Sequence, residues 1–195
     1  ELWSLARRPA FALFIAAAGL SQASHATLYA YGSYHWRELG LSETVIGWLW
    51  AWGVAVEIAV MSLIGAALAA RLGSAGLLAL AGAAGIVRWG LMTTDPTGPL
   101  LWALQAGHAL TFAASHLGAM AFLREAVPER LAGSAQGVFQ TVVGTTLMLA
   151  LTWLAALAYQ AQGGGAYWIG AAASALALIA ALLARRAWSG EHLAD

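Results

Sequence analysis

Apolar residues run in six stretches long enough to cross a bilayer, at about 10–33, 44–70, 75–93, 99–123, 133–160 and 164–184. A helix needs about 20 mostly apolar residues to span the hydrocarbon layer, so each stretch predicts one such helix. The breaks between them carry turn chemistry. Residues 36–42 are polar and hold Gly40, and Ser42 is placed to cap the helix that follows. Residues 71–74 make a short polar turn and 93–99 (TTDPTGP) a breaker. The 124–133 connection is charged and contains Pro128, and 160–165 (QAQGGG) is rich in glycine. The expected fold is an all-α membrane protein, one six-helix transmembrane domain over residues 1–195.

Charge orients that bundle. Arg7, Arg8, Arg71, Arg124, Arg130, Arg185 and Arg186 fall at the two termini and the second and fourth connections, whereas the opposite side has only Arg37. The positive-inside rule makes the arginine-rich side, and with it both termini, cytoplasmic. Gly133, Gly137 and Gly144 mark one side of the fifth span and predict close helix contact there.

Composition agrees with the pattern. Of 195 residues 61% are hydrophobic and only 9% charged, against about 25% charged in soluble domains. A net charge of zero removes the case for nucleic acid as a partner. Without cysteine there is no thiolate metal site and no cysteine nucleophile. No metal and no cofactor are expected, since His108 and His116 stand about 12 Å apart along one helix. The chain starts with Glu1, not Met, which marks it as a processed or cut piece.

Two full charges stand inside the apolar runs: Glu57 near the middle of the second and Arg88 in the third. A charge at membrane depth is unfavourable by about 2.5–3.5 kcal/mol on insertion scales, so it usually faces a bundle interior or a water-filled path. At 100° per residue Gln22, His25 and Tyr29 share a face of the first span. Gln105, His108, Phe112, Ser115 and His116 share one on the fourth. Trp50 lies seven residues before Glu57, and Gln136 and Gln140 lie four apart on the fifth span. By helical rise, Arg88 sits about 7 Å from the outer side, His25 about 9, His108 about 12, Glu57 about 20 and His116 about 24 Å. That order predicts titratable groups stepping across the bilayer. It leaves Glu57 and Arg88 too far apart for a direct ion pair, with a water or a histidine between them.

Several stretches together resemble the carboxyl-terminal six-helix half of a major facilitator superfamily transporter. Residues 127–137 (VPERLAGSAQG) are similar to the loop between spans ten and eleven of that superfamily. Residues 21–31 (SQASHATLYAY), 49–57 (LWAWGVAVE), 85–92 (GIVRWGLM) and 108–120 (HALTFAASHLGAM) are similar to the 3-phenylpropionic acid transporter family, in the lactose permease-like group. The resemblance implies a multi-pass protein of a bacterial inner membrane that carries a small organic solute, an aromatic carboxylate above all, together with protons. It also implies a missing amino-terminal six-helix half. Proton coupling would fall to Glu57, His108 and His116. Substrate binding would fall to Gln22, His25, Trp50, Arg88, Phe112, Gln136 and Gln140. The group's carboxylate in span ten has no counterpart, for 99–123 contains no Asp or Glu.

Other readings of the residues stay open at this point. A symporter for an oligosaccharide or nucleoside would use the same superfamily architecture. An intramembrane hydrolase would need a nucleophile, and Ser134 lacks a GxSG setting. A non-transporting six-span scaffold would leave the mid-bilayer Glu57 without a purpose.

Overall fold

The structure is a computed structural model that describes residues 2–193; among these there are helices and turns and no strand. After a short helix at Leu2–Ala6 come six long helices: α1 Pro9–Glu38, α2 Glu43–Leu63, α3 Gly65–Met92, α4 98–126, α5 129–162 and α6 Trp168–Ala187. By length and apolar composition α1, α2, α3 and the continuous α5–α6 run Glu129–Ala187 are each able to cross a membrane.

The local chemistry explains where the helices stop. α1 opens with Pro9 in its first turn, where a missing N–H costs nothing. It is interrupted at Ser24–His25, where side chains take over backbone acceptors: Ser24 Oγ donates to the Ser21 carbonyl and His25 Nδ1 to that of Gln22. At its far end Leu41 N–H bonds to the Trp36 carbonyl across Gly40, whose φ of 85° suits glycine. Ser42 then caps α2 by accepting from Val45 N–H. Arg37 donates to Glu43 in the first turn of α2, and that bond holds the Glu43 carboxyl below the usual carboxylate range.

The stretch 44–70 is divided at Ile64, where α2 ends, and the helical path is broken again at Gly73 (φ 65°), within the turn anticipated at 71–74. α4 and α5 each contain a π-helical turn, at Ala109–Ala113 and Thr141–Leu147. Such turns insert one extra residue and recur at functional positions.

Small residues let the backbones of α3, α4 and α6 approach closely. A Cβ on Gly82 would lie 2.8 Å from the Leu178 backbone nitrogen, and one on Gly118 would lie 2.9 Å from the Ser74 carbonyl oxygen. Gly82→Val is therefore expected to force α3 and α6 apart and lower stability by about 1–3 kcal/mol. Thermal unfolding of the detergent-solubilised protein would report it, with Gly90→Val as the silent control, since Gly90 has open space around it. The stripe Gly133, Gly137 and Gly144, by contrast, touches no other helix of this chain. α5 packs through the opposite positions, with Leu131, Ala135, Phe139, Val143, Leu151 and Ala155 buried. Periodicity revealed the stripe but not which of the two faces the bundle would cover.

The two larger apolar clusters of the core lie toward opposite ends of the bundle. Phe11, Phe14, Phe122, Phe139 and Leu193 gather at the end holding the chain termini. Leu28, Trp36, Leu49, Trp89, Met92, Leu101 and Tyr167 gather toward the other. Between them lies a buried polar layer that includes Ser24, His25, Arg88, Gln105, Thr111 and Ser115.

Beyond the second cluster, buried His35 at the end of α1 donates from Nε2 to Asp95 (2.8 Å) and accepts at Nδ1 from the Tyr159 hydroxyl (2.9 Å). One imidazole thus joins α1, the α3–α4 connection and α5. Asp95 holds a left-handed backbone (φ 53°) to reach it. Tyr159→Phe is expected to cost about 0.5–1.5 kcal/mol. Combined with Asp95→Gly it should cost less than the two separately, because both act through His35; a double-mutant cycle on unfolding midpoints checks this.

Candidate functional site

Arg88, on α3, is 3% exposed, and among the described residues its guanidinium meets neutral acceptors alone. Nε donates to the Leu104 carbonyl (2.7 Å) and Nη2 to Gln105 Oε1 (3.2 Å). Nη1 faces Thr111 Oγ1 at 2.8 Å, His25 Nε2 at 3.2 Å and His108 Nδ1 at 3.5 Å. The guanidinium carbon also lies 4.3 Å from the centre of the Trp89 ring, a cation–π contact. Trp89 is fixed in turn by donating to Ser24 Oγ. This buried cation is thoroughly bonded, yet among the described residues no carboxylate bonds to it.

Because arginine only donates, both histidines must offer it a bare nitrogen. His25 therefore carries its proton on Nδ1, where it donates to the Gln22 carbonyl (3.0 Å). His108 accepts at Nδ1 and so carries its proton on Nε2, aimed at Glu57 Oε2 (3.0 Å). The His108 imidazole fills the gap between Arg88 and Glu57. Glu57 and His108 keep side-chain exposures of 16% and 12%, and Arg88 lies behind them, more deeply buried.

The depth ladder expected from residue counting is compressed here into one layer. Glu57 bonds directly to His108, where helical rise had separated them by about 8 Å. Rise alone ignores helix tilt and the reach of a glutamate side chain. His116 does not join the layer: Phe112 lies between it and His108, ring parallel to both, with centroids 6.4 and 5.1 Å away.

A cavity of about 110 Å³ opens beside the guanidinium, lined by Tyr29, Trp50, Gly53, Arg88, Gln105 and His108 among others. Trp50 is oriented by donating to Ser33 Oγ, and Tyr29 stacks on His25. Of the remaining candidates, Gln22 contributes its carbonyl to His25, while Gln136 and Gln140 are exposed on α5 away from Arg88. Among the described residues no three of His, Asp and Glu gather closely enough to hold a metal ion. Thr111, Trp89 and Ser24 belong to the site, and sequence reasoning singled out none of them. Their only signal was position: Ser24 adjoins His25, Trp89 adjoins Arg88, and Thr111 is three residues from His108.

A sequence model of the MFS_1 like family matches residues 1–164 of this chain. The "Probable 3-phenylpropionic acid transporter" of Escherichia coli (strain K12) is 30% identical over 156 residues, which make up 80% of this chain and 41% of that relative. The chain thus spans about two fifths of the length of the relative it matches. No solved structure matches it.

Proposed function

This chain belongs to the MFS_1 like family, transporters and not enzymes, and we propose that it forms the carboxyl-terminal six-helix half of a proton-coupled carrier for a small organic acid. All six helices cross the bacterial inner membrane, with both termini on the cytoplasmic side where the arginines cluster. The short coverage of the relative supports a second half, and so do the exposed flanks of α2 and α5. The solute is an aromatic carboxylate such as 3-phenylpropionate. That choice draws on the relative's name and on the tyrosine and tryptophan beside Arg88.

The observation that carries this reading is Arg88, a buried cation whose hydrogen bonds all go to neutral acceptors. The incoming carboxylate binds at its Nη2 edge, and Trp50 and Phe112 receive the ring. By itself the site balances one cation, Arg88, against one anion, Glu57. A bound carboxylate would leave it with an excess negative charge in a medium that tolerates none. A proton on Glu57 restores neutrality, so solute and proton travel together. His108 carries the linkage, bonded to the cation on one side and to the proton acceptor on the other. His25 holds the guanidinium in place. His116, Gln136 and Gln140 face space that closes only when the other six helices are present.

Uptake of labelled 3-phenylpropionate by the full-length protein in proteoliposomes, with an imposed pH gradient, tests the reading. Accumulation that follows the gradient is expected. Carriage of a sugar or nucleoside in place of the acid would overturn it.

A further inference from the structure

We propose that Thr111 is a positioning residue of this site, a role that rests on the anion-carrying reading of Arg88. Thr111 is 1% exposed and lies in the π-helical turn Ala109–Ala113 of α4. Its Oγ1 is 2.8 Å from Arg88 Nη1 and 2.9 Å from His25 Nε2. The directions of these bonds follow from the chemistry of the partners. Arginine has no acceptor, so Oγ1 accepts from it. His25 Nδ1 already donates to the Gln22 carbonyl, so Nε2 offers its lone pair to the threonine hydrogen, at 2.9 Å against 3.3 Å for each of the Gly107 and His108 carbonyls that Oγ1 also faces.

The result is a single directed chain, from Arg88 through Thr111 and His25 to the backbone of α1 at its break. It runs across three helices and holds the guanidinium by its Nη1 corner. Nε is held separately by the Leu104 carbonyl. Two fixed corners set the plane of the group; Nη2 has one hydrogen on Gln105 and the second without a described acceptor, and Arg88 and Gln105 both line the cavity. Without the hydroxyl the Nη1 corner keeps only the longer contacts to the two imidazoles. The carboxylate then meets a guanidinium whose plane is held less firmly.

The test separates the hydroxyl from the methyl group. Thr111→Val keeps shape and loses the hydroxyl; Thr111→Ser keeps the hydroxyl and loses the methyl. In the full-length protein, Thr111→Val is expected to raise KM for 3-phenylpropionate at least about tenfold with little change in kcat. Thr111→Ser should stay within about twofold of the parent. In the same membranes the 15N resonance of His25 Nε2 should move toward that of an unbonded ring nitrogen in Thr111→Val alone. A valine variant with unchanged KM and an unmoved resonance, or a serine variant that is the impaired one, overturns the proposal. Should the parent carry no carboxylate, the transport reading falls, and the resonance still decides whether Thr111 holds His25.

Discussion

Glu57→Gln in the full-length protein is expected to abolish uphill accumulation of the acid while leaving exchange of bound for free solute intact. The amide oxygen of glutamine still accepts the His108 Nε2–H that now goes to Glu57 Oε2, so the layer keeps its geometry. What disappears is the ability to take a proton on one side and release it on the other. With one proton per solute, a gradient of one pH unit supports about tenfold accumulation. The variant should bring that ratio to about one. Counterflow across equal pH needs no proton turnover and should persist, because Arg88 and the cavity are untouched. Measuring both in the same vesicles is decisive: uphill transport unchanged in Glu57→Gln would remove the carboxylate from the coupling.

Arg88→Lys should lower kcat/KM for the carboxylate by about 10²–10³-fold although the charge is kept. The guanidinium reaches the Leu104 carbonyl, Gln105, Thr111 and the two histidines from three nitrogens at once. An ammonium is compact, has three donors and forms no planar fork, so at most part of that set survives. Losing bonds of a buried charged group costs about 3–5 kcal/mol, and the lower half of that, for a set only partly lost, is the stated range at about 1.4 kcal/mol per tenfold. Arg88→Met is the companion variant: it removes the charge, leaves an apolar side chain of similar length, and should fold yet carry no acid. If lysine supported transport at the parent's KM, Arg88 would be a structural residue and the anion site would lie elsewhere.

The parts of the site that were legible in advance were those that break a local rule. Glu57 and Arg88 stand out because a charge within an apolar run has few structural uses. His108 was visible as a polar position on a shared helical face, and a histidine had been one of two fillers for the gap between the charges. Thr111 and Ser24 were invisible for the opposite reason. Threonine and serine are common in membrane helices, where they usually bond their own backbone, and nothing local distinguishes one that also bonds a side chain of a neighbouring helix. Trp89 was one of ten tryptophans, most of them better explained as packing or interface anchors.

Most of the helices and several of their breaks follow from chain-local physics and could be read from the sequence, whereas the breaks at Ser24–His25 and Ile64 could not. Apolar length selects a helix, Gly40 and Ser42 end one and begin the next, and Gly73 and Gly163 turn the chain with positive φ. The tertiary structure alone decided which face of each helix is covered, and the glycines show it. Gly82 and Gly118 are pressed against neighbouring backbone, whereas Gly133 and Gly137 meet nothing in this chain. It also decided depth, bringing Glu57, His108 and Arg88 into one connected layer by tilt and side-chain reach. The physical reason is range. Propensity and turn chemistry act within four or five residues, while a hydrogen bond between Thr111 and His25 joins positions 86 apart and exists only once α1 and α4 have packed.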